Sequence, residues 1–143
     1  MSELFAVNAV ELRECLVEDI KAGLAPMVAS SPGMGKSDIF RDIAKQFRLK
    51  MIDFRVSQCE PVDMQGYPAT IDDHPGKVQR RMTFDTPEYF PLEDDELPEG
   101  FDGWMLFLDE FNSGNKQTEA AAYKLILDRE VYKHKLHPRC VIV

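Results

Sequence analysis

The segment from Ser30 to Ser37 has the residue types and spacing of a loop that binds phosphate groups. It matches the pattern G-x-x-x-x-G-K-[ST], except that Ser30 stands at the first glycine position. Gly33 and Gly35 allow backbone N–H groups to turn towards phosphate oxygens, and the ammonium group of Lys36 would reach the β- and γ-phosphates. The hydroxyl of Ser37 is the expected ligand of Mg²⁺.

The residues predicted to contact the nucleotide form one continuous run. They are Ser31, Pro32, Gly33, Met34, Gly35, Lys36, Ser37 and Asp38. The alternative is a glycine-rich turn with a solvated lysine. We favour the phosphate loop because the run lies between a short apolar segment and an amphipathic helix, which is the context that this chemistry requires.

Two neighbouring carboxylates, Asp109 and Glu110, follow the apolar run Trp104–Leu108. In open α/β sheets, ligands bind at the carboxyl ends of parallel strands. Asp109 would hold Mg²⁺ through water, and Glu110 would orient or deprotonate the water that attacks the γ-phosphate. The predicted catalytic residues are Glu110 and Lys36. The competing interpretation, an N-cap of a helix, loses weight because a phosphate loop precedes the pair.

The elements that position these residues alternate between helix and strand. We predict a helix at 8–22 with Asn8 and Glu11 as its capping pair, a strand at 25–29, a helix after the loop, a strand at 51–56, an acidic Pro-rich insertion at about 60–100, a strand at 104–110, a helix at 117–128 and a strand at 139–143. Such alternation indicates an α/β fold with a mostly parallel sheet in a single domain over residues 1–143.

Composition excludes several classes of function. The chain of 143 residues has a net charge of −8 and no long Lys/Arg run, so sequence-wide nucleic-acid binding is disfavoured. A short basic cluster, Lys77, Arg80 and Arg81, could make a local contact and is left unassigned. It has no apolar run of about 18 residues, so no membrane span is expected. Cys15, Cys59 and Cys140 are odd in number and widely spaced, which favours free thiols and a cytoplasmic location. A zinc site at His134, His137 and Cys140 is not favoured because a fourth ligand is missing nearby.

Further segments extend the pattern beyond the two motifs. Phe111-Asn112-Ser113 and Gln117 to Val131 resemble the "DE-x-N, helix, L-x-x-R-x-V" stretch of the MoxR-like branch of the AAA+ ATPases. Residues 61–68 and 86–91 are similar to the segment after that family's second strand and to its proline-flanked loop. The resemblance covers residues 8–143. It implies a three-layer P-loop NTPase fold, with Ser30–Ser37 and 104–110 as the Walker A and Walker B motifs.

The resemblance also implies activity and partners. ATP and Mg²⁺ would be the cofactors of an ATP hydrolase that remodels a protein partner, and the full-length protein would form a ring, expected to be a hexamer. Gln58 lies where the family often has a polar residue that controls the catalytic glutamate. Arg129 and Arg139 are expected to be exposed or in salt bridges.

The chain departs from the family near Val143, which falls inside the predicted fourth strand. In the family the sheet order is 5-1-4-3-2, and a sensor residue, an arginine finger, a fifth strand and a helical lid follow. We therefore expect an incomplete module, a fragment without the fifth strand and lid. The alternatives are that a second polypeptide completes the module or that the phosphate site is degenerate. One alternative function is a nucleotide-dependent switch with little turnover. Another is a small-molecule kinase, which the acidic stretch at 93–99 and Glu110 disfavour.

Overall fold

Two helices flank the glycine-rich loop in the computed structural model, which describes residues 7–31, 33–71 and 81–143. The first, α1 (Ala9–Lys21), begins with the predicted capping pair. The side chain of Asn8 accepts hydrogen bonds from two N–H groups of the first turn, and the Glu11 carboxylate accepts one from the Asn8 backbone N–H at 3.0 Å. Leu16 and Ile20 on the inner face are buried. This local sequence pattern was sufficient to predict the helix.

The remaining elements follow in chain order. They are α2 (Lys36–Gln46), β1 (Leu49–Arg55), a first 3-10 helix (Val56–Gln58), α3 (Pro61–Gln65), β2 (Tyr67–Ile71), β3 (Arg81–Asp85), β4 (Gly103–Asp109), a second 3-10 helix (Phe111–Ser113), α4 (Lys116–Asp128), β5 (Glu130–Val131), β6 (His134–Lys135) and β7 (Cys140–Ile142). The strands β1, β4 and β7 form a parallel sheet in that order, with β4 in the middle. The pairs β2–β3 and β5–β6 are antiparallel. The predicted mixed α/β class with parallel strands is confirmed.

The chain divides into two compact units, each with its own core. The first unit comprises residues 1–52, 97–107 and 141–143. In its core, one face of α1 and one face of α2 pack against apolar side chains of β4. The ring centroids of Phe40 and Phe107 lie 5.0 Å apart. The buried members of this cluster are Leu16, Ile20, Phe40, Ile43, Ala44, Met105 and Phe107.

The second unit comprises residues 53–96 and 108–140. Near the end of β1, the buried rings of Phe54 and Phe90 have their centroids 5.9 Å apart, and the exposed ring of Tyr89 lies 5.5 Å from Phe54 by the same measure. Further buried residues of this unit are Val56, Met64, Leu108, Ala121, Ala122, Leu125, Val131, Leu136 and Cys140. This unit positions the two carboxylates that follow β4.

The prediction of a strand at 25–29 is wrong. Residues 24–31 have neither helical nor strand structure, and the side chain of Met27 is 63% exposed. Pro26 removes a backbone donor from the middle of the segment, and the two alanines at its ends have little strand preference. Only Val28 packs against the core of the first unit.

The acidic Pro-rich insertion predicted at about 60–100 contains core elements that the sequence analysis did not predict. This stretch contains α3 and the β2–β3 hairpin, and its side chains Met64 and Phe90 are 3% and 2% exposed. Pro61 begins α3, and Asp63 accepts a hydrogen bond from the Glu60 N–H at 2.8 Å, as in a capping box. The β5–β6 hairpin was not predicted either. Apart from residues 72–80, which lie outside the described residues, the insertion is therefore structured.

Gly66 connects α3 to β2 at a point where only glycine fits. Its φ of 95° and ψ of 173° fall in a region that other residues avoid, and an added Cβ would lie 2.3 Å from the Asp85 carbonyl oxygen. We expect Gly66→Ala to lower the free energy of unfolding by about 3 kcal/mol or more, measured by urea denaturation. Gly23→Ala is the matched control, because Gly23 also has a positive φ but nothing within 4 Å, and we expect it to cost about 1 kcal/mol. Equal losses for the two variants would show that the backbone at Gly66 relaxes freely.

No helix in the described ranges is both long enough and apolar enough to cross a membrane.

Candidate functional site

The loop before α2 has two glycines in the left-handed region. Gly33 has a φ of +80° and Gly35 a φ of +75°, and Gly35 is the N-cap of α2. An added Cβ would meet nothing within 4 Å at either glycine, so conformation and not space requires glycine at both positions. The predicted contact residue Pro32 lies outside the described residues.

The start of α2 is open to a ligand. Gly35 supplies no side-chain cap. The Asp38 N–H donates to the Gly35 carbonyl at 3.2 Å, and the N–H groups before it are the ones that a helix leaves without an internal partner. These groups carry the positive end of the helix dipole, which favours a bound anion. The predicted Mg²⁺ ligand Ser37 lies half-buried in this first turn.

Lys36 folds back over the loop that it follows. Its Nζ donates a hydrogen bond to the Ser30 carbonyl oxygen at 3.4 Å, and the residue is half-buried. A bond of this length is weak and readily exchanged for a stronger acceptor. The other predicted contact residues differ in environment. Ser31 is exposed, Met34 is 69% exposed, and Asp38 forms an ion pair with Arg41 at 3.3 Å.

The two carboxylates lie where β4 ends. Asp109 is the last residue of the strand and is half-buried, and its Oδ1 accepts a hydrogen bond from the Glu110 N–H at 2.9 Å. Glu110 is exposed and has left-handed backbone angles, φ 53° and ψ 39°. This conformation costs a non-glycine residue on the order of 1 kcal/mol, and such residues concentrate at functional sites.

Ser57 holds the side chain of Glu110. Its hydroxyl donates a hydrogen bond to Oε2 of Glu110 across 53 residues of sequence. Gln58, which the family resemblance places near the glutamate, is the next residue along the chain and is exposed. Because β1 ends at Arg55 and a 3-10 helix begins at Val56, the alternation of a strand no longer determines which side chain faces Glu110. The sequence analysis therefore missed Ser57.

Cys59 lies just beyond Ser57, in surroundings that disfavour its thiolate form. Its Sγ donates a hydrogen bond to the Arg55 carbonyl at 2.9 Å. Burial, and then the negative charge of Asp63, raise the pKa of Cys59 from 9.0 to about 11. The same two causes, in the same order, raise the pKa of Tyr89, whose hydroxyl donates to the backbone carbonyl of Asp63. Both groups are therefore protonated at neutral pH.

We expect Cys59 to react slowly with iodoacetamide at pH 8, because the thiolate is the reacting species. Exposed Cys15 should be alkylated first, which mass spectrometry of the digested protein would measure. Folding raises the pKa of Cys59, so the folded state binds this proton more tightly than the unfolded state. Its contribution to stability is full below pH 9 and is lost as pH rises through about 11. Alkylation of Cys59 as fast as that of Cys15 at pH 8 would contradict the raised pKa.

Arg129 has a structural environment that differs from the expected exposed or salt-bridged one. It ends α4 in a left-handed conformation with φ 52°, and its half-buried guanidinium donates hydrogen bonds to the carbonyls of His137, at 3.3 Å, and Cys140. Arg139 is exposed, as expected.

Within the described ranges, no three His, Cys, Asp or Glu side chains come together as a metal site. The loop at 30–37 belongs to the first unit, and Ser57, Asp109 and Glu110 belong to the second.

Comparison of the chain with protein-family models, with curated proteins and with solved structures found no match.

Proposed function

We propose that this chain binds ATP with Mg²⁺ through Ser30–Ser37 and hydrolyses it with Glu110 as the catalytic carboxylate, in a P-loop NTPase fold of the MoxR-like AAA+ type. The observation that carries the proposal is the loop itself. Left-handed Gly33 and Gly35 lead into a helix whose N-terminus has no side-chain cap, and Lys36 follows at once. A solvated turn would not require this combination of two constrained glycines and an uncapped helix.

Phosphate binding follows from the groups present in the loop. The N–H groups at the start of α2 supply donors and a positive dipole end. The Nζ of Lys36 exchanges its weak bond to the Ser30 carbonyl for charge-assisted bonds to phosphate oxygens. The first unit offers the Ser37 hydroxyl and the second unit offers the Asp109 carboxylate, and both are oxygen donors of the kind that Mg²⁺ prefers. When bound, Mg²⁺ would neutralise charge on the phosphate oxygens.

Glu110 activates the water. Ser57 holds Oε2, so Oε1 accepts a proton from the attacking water molecule. The water oxygen forms a bond to the γ-phosphorus as the bond between that phosphorus and the β–γ bridging oxygen breaks, and ADP leaves with the electron pair. Phosphate and a proton are the other products. The left-handed backbone at Glu110 places its carboxylate beside Ser57 at the end of β4.

The biological role rests on the resemblance of the sequence to the MoxR-like ATPases. We infer that hydrolysis drives remodelling of a protein partner, that the protein assembles as a ring of six copies, and that it works in the cytoplasm. The three cysteines are free thiols, which suits a reducing compartment.

One observation favours a second candidate, a switch that binds nucleotide and turns it over little. The hydroxyl of Ser57 occupies one oxygen of the Glu110 carboxylate. If this bond persists in the nucleotide complex and turns the carboxylate away from water, binding would change conformation without hydrolysis.

Equilibrium binding and phosphate release test the proposal on the same sample. A fluorescent ATP analogue is titrated with Mg²⁺, then with EDTA in its place, and phosphate release from ATP and from GTP is followed separately. Mg²⁺-dependent binding with phosphate release supports hydrolysis. Binding with no release supports the switch, and the absence of binding would exclude the phosphate loop.

A further inference from the structure

Gly114, the C-cap of the second 3-10 helix, lies against Val56, the first residue of the first 3-10 helix. An added Cβ there would lie 3.0 Å from Cγ1 of Val56 and 3.3 Å from the Val56 carbonyl oxygen. Val56 is 0% exposed, so its side chain has little room to move. The φ of Gly114 is −75°, which any residue can adopt. Space, and not backbone conformation, therefore favours glycine at this position.

A second contact joins the same two segments on the other side of Ser57. The Oγ1 of Thr118 donates a hydrogen bond to the Cys59 carbonyl at 3.1 Å, and Thr118 is 0% exposed. Its backbone N–H donates to the side chain of Asn115 at 2.8 Å, which caps α4. Thr118 therefore anchors the segment after Ser57 to the first turn of α4.

The hydrogen bond from Ser57 to Glu110 lies between these two contacts in sequence. Val56, just before Ser57, packs on Gly114, and Cys59, two residues after Ser57, is bonded to Thr118. A serine side chain is short, and a hydrogen bond weakens steeply with distance and angle. A displacement of a few tenths of an ångström between the segments would therefore alter how Ser57 holds the carboxylate.

We propose that Gly114 and Thr118 are positioning residues for Glu110. By fixing residues 56–59 against residues 110–118, they keep the Ser57 hydroxyl on Oε2 and leave Oε1 directed to water. This inference rests on the proposed hydrolysis, since it assigns these residues to the geometry of the catalytic carboxylate. Neither residue touches the reacting atoms, so both act through the Ser57–Glu110 bond.

The test combines each positioning variant with Ser57→Ala. Gly114→Ala adds the crowded Cβ, and Thr118→Val replaces the hydroxyl donor with a methyl group. Thr118→Ser is the matched control, because it keeps the donor. We expect Ser57→Ala to lower kcat about tenfold with KM unchanged, since a hydrogen bond to a charged group is lost. Gly114→Ala and Thr118→Val should lower kcat by about three- to tenfold alone and by nothing further in the Ser57→Ala background, whereas Thr118→Ser should match the wild type.

A second readout does not depend on turnover. With glutamate labelled at the carboxylate carbon, Ser57→Ala, Gly114→Ala and Thr118→Val should move the ¹³C resonance of Glu110 in one direction, and Thr118→Ser should not. Circular dichroism and urea unfolding confirm that each variant is folded under the assay conditions.

The outcomes separate the two proposals. Losses of kcat that persist in the Ser57→Ala background, or a Glu110 resonance unmoved by Gly114→Ala and Thr118→Val, would overturn the positioning role. A rise in kcat on Ser57→Ala would overturn it as well, because Ser57 would then restrain Glu110. If the wild type releases no phosphate while the resonance shifts as expected, the hydrolysis proposal fails and the geometric part of this inference stands.

Discussion

Replacing Glu110 with Gln is expected to stop phosphate release while nucleotide binding persists. The amide has the shape of the carboxylate and can still accept the hydrogen bond from Ser57, but it cannot take a proton from water. Loss of a positioned general base typically costs about 10² to 10⁴ in rate. We therefore expect kcat to fall by at least about 100-fold, with the Kd for Mg·ATP within about threefold of the wild type.

The effect of losing a negative charge has to be separated from the effect of losing the general base. Glu99→Gln is the matched control, because it makes the same substitution at an exposed glutamate of the first unit. It should leave both kcat and Kd unchanged. If Glu110→Gln retained more than about a tenth of the wild-type kcat, Glu110 would not be the base, and another group would have to activate the water.

The features that the sequence predicted well are local. The capping pair Asn8 and Glu11 lies within one turn of helix, so its spacing was enough to predict where α1 begins. The start of α2 at Lys36 follows from the glycines that precede it. The position of Asp109 follows from a continuous apolar run that ends in a carboxylate, since a run of this kind is typical of a buried parallel strand.

The features that the sequence did not predict depend on packing between distant segments. The partner of Glu110 lies 53 residues away, and whether Ser57 or Gln58 faces it depends on a 3-10 helix that no sequence pattern indicates. A signal was nevertheless present in Gly114, a small residue in a polar turn after the carboxylates. The importance of Gly114 becomes clear only in the structure, where Cγ1 of Val56 lies 3.0 Å from the position of an added Cβ.

At 25–29 the sequence analysis made the opposite error, because it predicted a strand that the structure does not contain. An apolar run predicts burial, but a strand also needs a neighbouring edge with which to pair. Met27 is 63% exposed, and Pro26 can offer no N–H to a ladder. Hydrophobicity alone therefore overestimated the regular structure before the loop, although the loop conformation itself was predicted from its glycines.

Replacing Lys36 with Met is expected to weaken Mg·ATP binding by about 10- to 100-fold, which corresponds to the loss of charge-assisted hydrogen bonds to phosphate. The substitution keeps the length and apolar stem of the side chain, and it removes only a 3.4 Å bond to the Ser30 carbonyl. The thermal unfolding midpoint should therefore change little, so a loss of affinity would report the missing ammonium and not unfolding. Fluorescence titration gives the affinity, and calorimetry gives the midpoint.

Lys45→Met is the matched control for this experiment, because Lys45 lies in the last turn of the same helix and is exposed. Both variants remove one positive charge from α2, so they alter the long-range field of the protein to a similar extent. Only Lys36 follows directly after the two left-handed glycines, and only its loss should reduce affinity. Equal losses in the two variants would mean that nucleotide is held by general charge attraction, and the phosphate loop would no longer explain binding.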